Sequence, residues 1–66
     1  MLTQSQQNAV STLERLTRAL LDVERQAKVV LTRQNAPSQT YKDYVIYINE
    51  VIGIHGQMIQ LIKSNE

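Results

Sequence analysis

His55 is the side chain best able to carry chemistry in this chain, and it stands between two glycines in "IGIHGQ". Catalysis through an imidazole needs a nucleophile to activate or a carboxylate to orient the ring. Neither is at hand. On a helix Glu50 falls on a different face from His55, and no serine precedes the histidine by one turn. A zinc site needs several nitrogen, sulfur or carboxylate ligands, yet this is the only histidine in a chain without cysteine. What remains for His55 is structural. It falls in an apolar seam, with its ring bonded to a side chain or backbone group of a neighbouring helix. No catalytic residue, metal or cofactor is expected.

The glycines beside it, Gly53 and Gly56, do not form a phosphate-binding loop, because no strand precedes them and their spacing is wrong. Each costs about 1 kcal/mol in a helix interior relative to alanine. The reading is close approach of another backbone, from the first helix or from a partner; the alternative is a local kink. Arg15, Arg18, Arg25, Lys28 and Arg33 resemble the basic face of an RNA-binding hairpin. Acids interleave them, however, and seven Lys and Arg against six Asp and Glu leave a formal net charge of only +1. Nucleic acid is therefore not an expected partner.

A chain of 66 residues is one domain, of a size at which a single core is marginal. Disulfides and thiolate metal sites are excluded, so association is the remaining source of stability. No apolar run approaches the ~20 residues that span a bilayer, and membrane insertion is not expected. The start "MLTQSQQNAV" lacks the basic opening and apolar centre of a signal peptide. These features lead to the expectation of a cytoplasmic protein.

The elements that position these residues are two helices and a turn. The break is "RQNAPSQ", which holds the only proline. Pro37 cannot sit in a helix interior without losing a hydrogen bond and clashing with the preceding turn. Asn35 or Ser38 is suited to cap the helix that follows. The expected bounds are a helix over about 4–33, a turn over about 34–38 and a helix over about 39–63, in one domain over 1–66. Thr3 and Gln6 have the spacing of a capping box at the first helix start.

Before the break, Ala9, Leu13, Leu16, Leu20, Val23, Ala27 and Val30 step by 4, 3, 4, 3, 4, 3 once Val10 is set aside, a heptad seam. Glu14 with Arg18 and Glu24 with Lys28 have favourable i, i+4 spacing on the polar side. After the break, Tyr41, Val45, Ile48, Ile52, His55, Ile59 and Ile62 step by 4, 3, 4, 3, 4, 3. Matched seams joined by a short connection predict an all-α, two-helix antiparallel hairpin of coiled-coil type.

The second helix carries more. Tyr44, Tyr47, Val51, Ile54, Met58 and Leu61 step by 3, 4, 3, 4, 3, a second seam beside the first. Together the two seams cover roughly 200° of the helix, about twice an ordinary amphipathic stripe. On the first helix the residues outside its seam, Val10, Leu21, Val29 and Leu31, are scattered and supply no matching second stripe. The six residues of the second seam are therefore the expected partner-binding residues, and the hairpin is expected to be completed by a partner or a second copy. Tyr44 and Tyr47 suit an interface, with an apolar body and a polar tip. Tyr41 would close the turn end of the hairpin.

The hairpin with its surplus apolar face carries "LTRALLDVERQ" before the turn, "APSQTYKDY" over residues 36–44 and "INEVIGIHGQMIQLI" over residues 48–62. In these segments it resembles the YscE-like co-chaperones of bacterial type III secretion systems. The likeness implies a bacterial, cytoplasmic, non-enzymatic protein that pairs with a larger helical chaperone and helps keep the needle subunit unpolymerised. The needle subunit is itself a helical hairpin with a proline-containing turn, which "NAPS" also fits. The alternative from periodicity is a homo-oligomeric hairpin, two copies forming a four-helix bundle, with a regulatory or phage-encoded inhibitory role.

Overall fold

The computed structural model describes residues 1–64; residues 65 and 66, part of the expected domain, lie outside the described residues. The chain forms two helices, α1 over Gln4–Arg33 and α2 over Ser38–Ser64, packed against each other as a hairpin. Its Cα extents are 50 × 15 × 9 Å, so it is a single layer of two helices lying side by side. Domains ordinarily close their apolar faces between two layers. Among the described residues there is no second layer.

Local chemistry sets both ends of α1. Thr3 is the N-cap: its Oγ1 accepts from the Gln6 N–H at 3.1 Å, and Gln6 Oε1 accepts from the Thr3 N–H at 2.9 Å. This is the capping box expected from the spacing. At the other end Asn35 adopts the left-handed region, with φ of 56°. The Ala36 N–H then reaches the Leu31 carbonyl at 3.0 Å and the Asn35 N–H reaches the Thr32 carbonyl at 3.2 Å. That pair of bonds is the Schellman stop, with the Leu31 and Ala36 side chains lining one surface depression beneath it. Asn35 thus ends α1 and does not cap α2, which corrects one expectation. Its short polar side chain tolerates a positive φ better than other non-glycine residues. Asn35→Gly should leave urea stability equal or higher, whereas Asn35→Val should cost about 1–2 kcal/mol. Equal midpoints for the two variants would show that the turn is not held in this conformation.

The register follows from one cross-helix bond. Thr17 Oγ1 lies 3.0 Å from His55 Nδ1. Stepping back along α1 while stepping forward along α2 sets Leu13 level with Ile59 and Val10 level with Ile62. Stepping the other way sets Leu20 level with Ile52, Glu24 with Ile48, Ala27 with Val45 and Leu31 with Tyr41. Each of these residues is buried or half-buried. The seam expected on α2 is therefore the one that meets α1, in all its members. The seam expected on α1 is rotated. Val10, Thr17, Glu24 and Leu31 take the inward positions, while Leu16, Val23 and Val30 are 47%, 41% and 55% exposed.

The physical reason is the turn. The expected α1 phase would mate with α2 only in a register displaced by about one helical turn. That would centre the turn near Gln34 or between Pro37 and Ser38, whereas the left-handed Asn35 and the Ala36–Leu31 bond centre it on Ala36.

Among the described residues only Val10, Leu13 and Ile48 are buried, and Ile48 alone is essentially sealed from water. Charges add little. Among the described residues the one ion pair is Asp22 with Arg25, 3.8 Å apart and exposed, a geometry worth little in water. The expected Glu14–Arg18 and Glu24–Lys28 pairs do not form. Lys28 turns instead to Tyr41, its Nζ 6.0 Å from the ring centroid, which helps close the turn end.

Candidate protein interface

His55 has the bonding partner the sequence led one to expect, a side chain of α1. The Thr17 hydroxyl donates to the Leu13 carbonyl at 3.0 Å. With its hydrogen so placed, Oγ1 accepts from His55 Nδ1–H at 3.0 Å. The pair forms one half-buried polar layer in an otherwise largely apolar seam. A polar layer of this kind favours one register over its slipped alternatives. Thr17→Val should cost about 1 kcal/mol by leaving Nδ1–H without an acceptor. Thr17→Val together with His55→Leu should restore or exceed the original urea stability. A double-mutant cycle with no coupling between the two positions would show that the bond contributes nothing.

Gly53 and Gly56 are not sites of close approach within the hairpin. A Cβ built on either meets no atom within 4 Å, and both have helical backbone with negative φ. The expectation that α1 comes close at the glycines is corrected: Gly53 lies on the exposed side of α2, and Gly56, although it borders a groove with Thr17 and Arg18, leaves open space where a Cβ would stand. Gly53→Ala and Gly56→Ala should each stabilise the isolated hairpin by about 1 kcal/mol in thermal melts. A loss of stability would reveal a backbone demand that the hairpin does not show.

The apolar face is where the molecule departs from a self-sufficient fold. Tyr47, Ile54, Met58 and Leu61 are exposed, and Tyr44 and Val51 are half-buried. Tyr44 lines a groove with Val23, Ala27 and Val30 of α1. Val51 lines its continuation with Leu16, Ala19, Leu20 and Val23. The displaced α1 residues Leu16, Val23 and Val30 thus stand on the same side of the hairpin as the second seam of α2. One continuous apolar face is built from both helices. Leu61 lies towards its outer edge, among Gln57, Gln60 and Ser64.

The chain matches no known protein family, no curated protein and no solved structure. The face itself therefore carries the functional argument. The opposite side of the hairpin differs in character: Glu14, Thr17 and Arg18 share a shallow groove there with Ile52, Gly56 and Ile59. Among the described residues no three acidic or histidine side chains gather to hold a metal ion.

The α1 contribution to the face was missed in the sequence, although a signal for it existed. Read backwards, the α2 seam steps by 3, 4, 3, 4, 3, 4, and only the α1 phase through Val10, Thr17, Glu24 and Leu31 matches it about a turn centred on Ala36. By length and composition α2 is apolar enough to cross a membrane. Its isoleucines and valines raise the average over the whole helix although no uninterrupted apolar run is long. Glu50 in mid-helix would cost about 2.5–3.5 kcal/mol at a bilayer centre, which favours protein over lipid as the cover of this face.

Proposed function

We propose that this hairpin is a non-enzymatic interaction protein whose apolar face is covered by the helices of a protein partner. One observation carries the reading: Leu16, Val23 and Val30 of α1 join Tyr44, Tyr47, Val51, Ile54 and Met58 of α2 on one open side. Monomeric proteins rarely leave so extended an apolar surface in water. Two aromatic anchors on a helix face suit helix-in-groove recognition.

The narrower form of the proposal is a co-chaperone of a bacterial type III secretion system, acting in the cytoplasm. It docks on a larger helical chaperone and helps keep the needle subunit unpolymerised. Support for that form comes from the resemblance carried by residues 36–44 and 48–62. A second form, two copies closing a four-helix bundle, is favoured by the contribution of both helices to the face. The common claim is tested by charge: an aspartate at Ile54 or Leu16 should weaken association, and one at Ile46 should not. Association that survives the first two changes would place the interface elsewhere.

A further inference from the structure

We propose that the occupant of the apolar face is a second copy of this chain, placed with the two-fold axis along the length of the hairpin. The proposal rests on the interaction reading above and not on its secretion form. Three observations converge on it.

The first is area. The chain exposes 5171 Å² at a mass of 7.6 kDa, whereas a compact monomer of that mass exposes about 4,300 Å². The surplus, about 900 Å², is close to the ~800 Å² that each partner surrenders in an interface of standard size. The second is the thin core, three buried side chains among the described residues. So little burial leaves the lone hairpin with much to gain from association, and a second copy is present wherever the chain is made. With a net charge of +1, two copies scarcely repel.

The third is the charge along the two rims of the face. At 100° per residue, Arg15, Asp22 and Arg33 fall on the outer edge of α1, while Asp43 and Glu50 fall on the outer edge of α2, all exposed. A two-fold axis along the hairpin lays α1 of one copy against α2 of the other. A rim of two arginines and one aspartate then meets an acidic rim, with Arg33 near the copy's Asp43 and Asp22 level with its Glu50, a net attraction. The other arrangement, with the axis across the hairpin, sets α2 against α2 and acid against acid. Arg33 lies within about one helical turn of the level of the copy's Asp43 in the first arrangement.

The test uses the full chain. Sedimentation equilibrium should return twice the chain mass, and the thermal midpoint should rise with protein concentration. For the arrangement, Ala19→Cys chains are mixed with Glu50→Cys chains and treated with a short bifunctional thiol reagent. The native chain has no cysteine to interfere. Ala19 and Glu50 lie on opposite helices at nearly the same level, so the mixed product should predominate. Self-linked products of each variant in excess would overturn the lengthwise axis. A monomer whose midpoint ignores concentration would overturn the second copy while leaving the interaction reading intact. A dimer that persists unchanged when Ile54→Asp and Leu16→Asp are introduced would overturn both.

Discussion

Ile48→Ala should remove most of the stability of the folded hairpin, whereas Ile46→Ala, two positions away, should change it by less than about 0.5 kcal/mol. Ile48 is 1% exposed and Ile46 is 57% exposed. Truncating a buried isoleucine to alanine costs about 2–5 kcal/mol, part of it for the cavity left behind. A single core in a chain this short rarely supplies more than about 3–5 kcal/mol in total. The loss is therefore comparable to everything the hairpin has. Ile48 stands level with Glu24, between the Leu20 and Ala27 levels of α1, and no other apolar side chain in the described residues is as well enclosed. Urea unfolding followed by far-ultraviolet circular dichroism measures both variants. Similar losses at the two positions would mean that α2 does not present the face described.

The second large effect concerns association. Ile54→Asp should weaken it by about 2 kcal/mol or more, roughly thirtyfold, because a carboxylate then sits where an apolar anchor must be desolvated. Leu16→Asp, on the other helix, should act in the same way. Both side chains are exposed in the hairpin, so helicity should largely survive where association does not. Val51 is a poorer choice, since it is half-buried beside Leu16 and Leu20 and its loss would disturb the hairpin as well. Ile46→Asp is the matched control, exposed on the same helix but off the face. Dissociation measured by sedimentation velocity should separate the three variants; an effect of Ile46→Asp equal to the others would indicate a general charge effect and sink the assignment.

The two helices differed in how far their sequence disclosed their packing. On α2 the seam from Tyr41 to Ile62 is unbroken and its members are large, so a single phase dominates. On α1 two phases share Leu13, Leu20 and Ala27 and differ only in the alternate positions. Judged by hydrophobicity, Leu16, Val23 and Val30 outrank Val10, Thr17, Glu24 and Leu31. The turn decides otherwise, because Asn35 and the Ala36–Leu31 bond fix where the chain reverses and hence which levels meet. Periodicity within one helix cannot see that constraint. The open face was half legible for the same reason: its α2 residues form their own stripe, whereas its α1 residues looked like the interior seam.

A protein one helix thick has hardly a backbone amide more than a side chain away from water. Its hydrogen bonds can open by fraying and local separation of the helices, without a global unfolding event. The lifetime of such a chain in a cell is then set by occupancy of its face, because proteases cleave what opens. An uncovered hairpin would be removed, and a covered one retained. The single layer thus ties the abundance of the protein to the supply of whatever covers it.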